Sequence, residues 1–383
     1  MNQRLARMDI AIFISALALL GLGVVLVYSS SFAVAQHRFG DADFFLERQV
    51  VRALIALACF IVFINVDYHV WGRISPYAFM AAVGMLVFVL LLPDSAAVNG
   101  AKRWIGLGPL NFQASDFARL VLVITIARRC EDLGPDIAVW KKVLPDLVKI
   151  GLVCGLILIE PNFSTAAIVG VIGLSLLFVG GARLQHIAGV MLMCLPVALT
   201  GLIGSSYRRA RIISYFDLSK SAKDIGYQAS QALIGLGNGG LFGVGLGEGK
   251  QKYFFLPEPH TDFAFAILGE ELGFVGLMAV FLVFGVIIWR GLRTAAGAPD
   301  RMGQVMAFGF TLILGLYLLL HTAVNVGLVP TTGVPLPFLS YGGMSLVFTM
   351  IGTGILLNIS SQAKHIAGGM ARTQQERLHK YRP

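Results

Sequence analysis

Long apolar runs, separated by short polar stretches, set the pattern of this chain. Ten runs come near the ~20 residues that an α-helix needs to cross the hydrocarbon of a bilayer. They cover about 10–29, 49–66, 75–93, 113–130, 144–160, 164–181, 186–205, 263–288, 303–328 and 340–359. The pattern predicts an all-α polytopic membrane protein with ten transmembrane helices. It forms one membrane domain over 1–365, followed by a mobile tail over 366–383. A large outer loop, about 206–262, separates helices 7 and 8. Runs 5 and 6 are nearly continuous, and Glu160-Pro161-Asn162 marks a tight turn between them, because proline disfavours helix at the preceding residue. The first run follows Arg4 and Arg7 and is longer than the apolar core of a secretory signal. It reads as a retained helix, although Ala33-Val34-Ala35 resembles a cleavage site.

Composition agrees with this reading. Hydrophobic residues make up 56% of the chain and charged residues 13%, against roughly 25% charged in a soluble domain. The net charge of +9 does not point to nucleic acid, because the basic residues fall mostly in loops and tails. Arg128, Arg129, Lys141, Lys142, Arg183, Arg290, Arg293, Arg301 and the basic tail all fall on the side of the N-terminus if ten segments cross. Excess lysine and arginine in short loops marks the cytoplasmic side, so both termini are expected there. Lys102-Arg103 is the exception and falls outside. The four cysteines show no metal spacing and read as buried thiols.

Charge within a bilayer is costly, so each instance is a site hypothesis. Asp116 and Arg119 open segment 4 on one helix face, as an ion pair or as part of a site. Glu160 closes segment 5. Glu270 and Glu271 lie in segment 8, where bonds to neighbouring helices are the plain reading. His321 and Asn325, four apart in segment 9, read as interhelical hydrogen-bonding residues. With ten segments, nearly all of these fall in the outer half of the membrane. The polar knot Pro257-Glu258-Pro259-His260-Thr261-Asp262-Phe263 precedes segment 8, and Asp262 there is either a helix cap or a base.

The outer loop begins Tyr207-Arg208-Arg209-Ala210-Arg211, which suits phosphate oxygens or anionic lipid at headgroup depth. Residues 225–236 are expected to form a short interfacial helix. The glycine-rich run that follows, to Gly247, is expected to let a chain or sugar approach the backbone. The last outer loop, Pro330 to Gly343, carries three prolines in eight residues and is read as a stiff wall.

These motifs together resemble the SEDS family of bacterial cell-wall proteins (shape, elongation, division and sporulation), from the first helix to about residue 360. The resemblance is carried by Asn99-Gly100-Ala101-Lys102-Arg103-Trp104-Ile105, the glycine run, Leu256-Pro257-Glu258 with His260-Thr261-Asp262-Phe263, and the proline-rich loop ending Ser340-Tyr341-Gly342-Gly343. Gly245-Leu246-Gly247-Glu248-Gly249 before Lys252 looks closer to the division branch than to the elongation branch. Two runs depart from the family pattern: Arg119 stands where a lysine is usual, and Asn162 and Ser164 stand where aspartate and glycine are usual.

The resemblance implies a ten-helix SEDS-type bundle in the bacterial cytoplasmic membrane, at the division septum. It implies glycan polymerisation at the outer face from lipid II, a disaccharide-peptide on undecaprenyl diphosphate. A class B penicillin-binding protein that cross-links the product is the implied partner, with other division membrane proteins. Asp262 is carried over as the general base of an inverting transfer, with Glu258 and His260 orienting it or holding a cation. Lys102, Arg103, Arg208, Arg209 and Arg211, or a magnesium or manganese ion, would counter the diphosphate. Asp116, Arg119 and Ser340 complete the expected supporting set. Two alternatives stay open. A lipid II transporter is disfavoured by the outer bias of the charges, and a non-catalytic scaffold by the ionisable knot.

Overall fold

The computed structural model describes residues 8–93, 103–107, 110–204 and 225–380. Among them are eleven α-helices: α1 (Ile10–Phe39), α2 (Phe44–Asn65), α3 (Tyr68–Leu91), α4 (Ala114–Leu133), α5 (Trp140–Ile159), α6 (Phe163–Val179), α7 (Leu184–Ile203), α8 (Ile225–Gly239), α9 (Ala264–Ala296), α10 (Arg301–Asn325) and α11 (Ser345–Lys380). Ten of them coincide with the ten expected segments, and α8 is the helix expected within the outer loop. By length and composition, α1, α3, α9, α10 and the Ser345–Ala363 part of α11 can each cross a membrane. The backbone of α11 stays helical through 366–380, beyond the end expected at 359.

Two local features depart from the pattern. The first helix runs ten residues past its expected end, because its polar residues remain compatible with helix. Ser30 returns its hydroxyl to the Leu26 carbonyl at 2.7 Å, and Gly40, at φ 71°, ends the helix as a left-handed cap. The second feature is a hairpin, β1 (Trp104–Leu107) and β2 (Leu110–Gln113), paired antiparallel with Trp104 opposite Gln113. Ile105 and Phe112 pack against the helical core from it, so this short stretch of alternating residues forms strands in an otherwise helical protein.

Polar contacts gather at the two ends of the bundle. At one end Arg290 pairs with Asp9 at 2.7 Å, and His69 lies between Asp67 and Asp300 at 2.6 and 2.8 Å. Tyr68 N–H donates to Asn358, and Met302 N–H to Glu131, both at 3.0 Å. The charge pattern puts all of these residues on one side. Residues expected on the opposite side meet at the other end, as described below.

α9 is two helices merged across a break. Gly273 there has φ 68° and ψ −171°, a conformation open essentially to glycine alone. A break frees backbone groups that lipid cannot satisfy. The glycine run supplies the partners. Val244 and Gly245 donate N–H to the Glu270 and Glu271 carbonyls at 3.0 Å, while Phe274 and Val275 donate to Gly240 and Leu241 at 2.9 and 3.0 Å. A Cβ at Gly239, Gly243 or Gly273 would collide with this opposing backbone. At Gly239 and Gly243 the chain that approaches the glycine run is the backbone of α9.

Gly273→Ala is expected to destabilise the fold by at least about 1–3 kcal/mol, from dihedral strain alone. Gly285→Ala, with open space around its Cβ, should leave the thermal transition in detergent unchanged.

Candidate active site

Three consecutive carbonyls fix the polar knot. The His260 carbonyl accepts Tyr341 N–H at 2.8 Å. The Thr261 carbonyl accepts the Ser340 hydroxyl at 2.8 Å, and the Asp262 carbonyl accepts Asn325 Nδ2–H at 3.2 Å. Ser340 Oγ also accepts Leu336 N–H at 2.9 Å, which closes the turn of the proline-rich loop. His321 Nδ1 donates to the Val334 carbonyl at 2.8 Å and ties that loop to α10. On the far side of the loop, Phe338 has φ 64°, and Gly23 of α1 leaves room for its carbonyl. The loop is thus a wall, as expected. Ser340 holds backbone, bonding both the Thr261 carbonyl and Leu336 N–H.

Asp262 itself is half-buried, one residue before the N-cap of α9. The cap position is Phe263, and the side-chain acceptor for Ala266 N–H is Asn325 Oδ1 at 3.1 Å. The amide of α10 thus supplies one first-turn acceptor of α9 from outside the helix. Neither sequence spacing nor composition reveals Asn325 as the partner, since it lies 63 residues away in the chain. Its place four residues after His321 was the available signal.

Aromatic rings close the knot from α2. Phe45 lies 4.6 Å from His260 and 5.1 Å from Tyr341, and the Arg52 guanidinium lies 4.3 Å from the Tyr341 ring centre. Burial pushes the His260 imidazole down to about 4, and the Arg38 charge adds to this, so the ring is neutral at pH 7. Burial raises the Glu258 carboxyl, with Arg38 opposing and Asp262 reinforcing the shift. His260 Nε2 lies 3.7 Å from a Glu258 oxygen. Among the described residues no three His, Cys, Asp or Glu side chains form a metal-holding group. Glu258 and His260 do not by themselves make a donor set for a divalent cation.

The remaining expected residues divide. Arg103 donates to the Glu160 and Pro161 carbonyls at 3.1 and 2.6 Å, so it pins the hairpin to the α5–α6 turn. Gly343, after Tyr341, lies against this hairpin: a Cβ there would be 2.7 Å from the Asn111 carbonyl and 3.0 Å from Trp104. Asp116 and Arg119 form a buried pair at 3.2 Å, with Arg119 against the Tyr317 ring at 4.4 Å. Arg119 lines a small cavity there with Phe310, Phe348 and Gly352. Lys102, Arg208, Arg209 and Arg211 lie outside the described residues.

Glu270 and Glu271 serve the outer loop more than neighbouring helices. Glu270 accepts the N–H groups of Lys250 and Gln251 at 3.0 and 3.1 Å. Glu271 pairs with Lys252 at 2.7 Å, and both side chains are fully buried. Ser29 of α1 donates to both Glu271 oxygens, at 2.6 and 2.7 Å. Sequence inspection singled out neither Lys252 nor Ser29 as a partner. The isolated cation ahead of two membrane carboxylates was the signal.

Residues 10–365 match the family model FTSW_RODA_SPOVE, described as cell cycle protein. A probable peptidoglycan glycosyltransferase FtsW of Geobacter sp. (strain M18) is 36% identical over 95% of this chain and 100% of its own length. Stage V sporulation protein E of Bacillus subtilis (strain 168) is 36% identical over 93% of this chain and 98% of its own. Among solved structures, a chain from a peptidoglycan synthase complex that coordinates polymerization and crosslinking superposes with a TM-score of 0.76. It is 25% identical and covers 93% of this chain and 98% of that one. The rod shape determining protein RodA of Thermus thermophilus gives a TM-score of 0.69 at 25% identity, covering 92% and 96% of the two chains.

Lys252→Met leaves the Glu271 charge buried without its cation and should cost about 3–5 kcal/mol. Adding Glu271→Gln should recover much of that loss, and chemical denaturation of the three proteins measures both effects.

Proposed function

The chain belongs to the FtsW/RodA/SpoVE family of cell cycle proteins, and on that premise we propose that it is a peptidoglycan glycosyltransferase acting in septal wall synthesis. Its substrate is lipid II, polymerised at the outer face of the bacterial cytoplasmic membrane. The curated relatives named as FtsW support this reading. The single observation that carries the site is a half-buried carboxylate, Asp262, on a backbone held at three successive carbonyls.

The chemistry is an inverting displacement. The 4-hydroxyl of the lipid II sugar attacks the anomeric carbon of the growing strand as the bond to the diphosphate breaks. Asp262 takes the hydroxyl proton, which makes a weak nucleophile competent at neutral pH. The diphosphate leaves with the bonding electrons. Its charge needs fixed cations, for which Lys102, Arg208, Arg209 and Arg211 are the proposed set. Arg103 is engaged at the Glu160 and Pro161 carbonyls and supports the wall instead. Neutral His260 adds no positive charge that would weaken Asp262 as a base, and burial raises the Glu258 carboxyl beside it.

A cross-linking partner, a class B penicillin-binding protein, fits the structural neighbour drawn from a complex of polymerisation and crosslinking. The basic short loops support cytoplasmic termini.

The test supplies lipid II to the purified chain with its partner. The wild type should make glycan strands, and Asp262→Asn should be slower by roughly 10²–10⁴-fold, the usual contribution of a general base. Polymer from the variant at the wild-type rate would remove Asp262 from the mechanism. No polymer from either protein, with lipid II crossing liposome membranes, would favour the transporter.

A further inference from the structure

The extension of α1 to Phe39 brings its last turn against the segment that leads into the knot, and His37 and Arg38 are the basic residues of that turn. Both neighbours of Arg38 are anchored. The His37 ring lies edge-on to Phe254 at 5.0 Å, and Phe254 holds φ 67°, a conformation rare for an aromatic residue. The Phe39 ring stacks on Phe44 at 3.7 Å and meets Phe45 at 5.8 Å, and Phe45 lies 4.6 Å from His260. The backbone of Arg38 is thus fixed beside the knot, while the residue itself is exposed.

Three other described arginines at this end of the bundle are committed. Arg48 lies on the Phe44 ring at 3.4 Å and donates to the Phe44 carbonyl. Arg52 is buried over Tyr341, and Arg103 holds the Glu160 and Pro161 carbonyls. Arg38 makes no hydrogen bond or ion pair through its side chain among the described residues, and Glu258 pairs with His260 rather than with it. Burial is the main cause of the shifts at Glu258 and His260, and the Arg38 charge acts on both, so this charge faces the knot. A guanidinium is always charged and offers parallel N–H donors that match phosphate oxygens.

We propose that Arg38 is a phosphate ligand: its guanidinium takes the diphosphate of an undecaprenyl-linked substrate where α1 ends beside the knot. The inference rests on the reading of the knot as the site of a lipid II polymerase. It adds a cation on α1 to the set proposed to counter the diphosphate. Phospholipid headgroups offer the same phosphate chemistry, and a cation in a last turn also suits the negative end of its own helix.

The experiment measures binding of undecaprenyl diphosphate to the purified complex in nanodiscs, with and without phosphatidylglycerol, for wild type, Arg38→Lys and Arg38→Gln. Lipid II polymerisation and the melting temperature are followed alongside. Wild-type binding should persist in phosphatidylglycerol. Arg38→Gln should bind roughly tenfold or more weakly, through loss of a charge-assisted hydrogen bond, with an unchanged melting temperature. Arg38→Lys keeps the charge without the fork and should fall between the two. If the wild type polymerises and Arg38→Gln binds equally well, the inference fails alone. Binding abolished by phosphatidylglycerol would make Arg38 a general headgroup contact and would also overturn it. If no protein makes polymer but binding still depends on Arg38, the diphosphate site stands and the polymerase reading falls. Should Arg38→Gln not assemble, Arg38→Lys decides, and wild-type affinity there would sink the proposal.

Discussion

Three hydrogen bonds to three successive carbonyls, at His260, Thr261 and Asp262, are the constraint on which this end of the bundle depends. A segment that is neither helix nor strand cannot lie in lipid with its carbonyls unmet. Here the donors come from two elements distant in sequence, the end of α10 and the proline-rich loop. That loop is in turn fixed by His321, by its own Ser340 turn, and by the close approaches at Gly23 and Gly343. The knot therefore has a defined backbone without regular structure.

The same physics shapes the break in α9. An interrupted helix leaves donors and acceptors exposed, and residues 240–245 satisfy them through backbone alone. At Gly239, Gly243 and Gly273 the two chains approach too closely for a Cβ, and Gly240 and Gly245 hold positive φ. The segment just beyond is locked by the two carboxylates of α9, one taking backbone N–H groups and the other a buried lysine. Buried ion pairs are weak sources of net stability. This one joins α1, the outer loop and α9, so its consequence is registry between three segments.

How much of this was legible in the sequence follows from the range of each interaction. Helix positions depend on local apolarity, so ten segments and the turn at Pro161 could be read directly, as could α8. The extension of α1 to Phe39 was not, because hydropathy falls at Ser29-Ser30-Ser31 while the helix continues by returning a hydroxyl to its own backbone. Partners distant along the chain were illegible. A carboxylate at the helix start was visible, whereas the Asn325 acceptor for Ala266 N–H, 59 residues away, was not. Arg103 looked like a phosphate ligand because its charge was visible and the carbonyls it holds were not.

The bundle thus has two polar ends, and the charge pattern is expected to put the end with the proposed site outside. Site-directed thiol labelling tests that assignment most directly. In a chain with its four native cysteines replaced, Glu258→Cys reports on the knot, and Asp136→Cys, on an exposed turn between α4 and α5, reports on the opposite end. A membrane-impermeant maleimide applied to intact spheroplasts is expected to label position 258 and to reach position 136 only after permeabilisation. Labelling of 136 but not 258 in intact spheroplasts would contradict it.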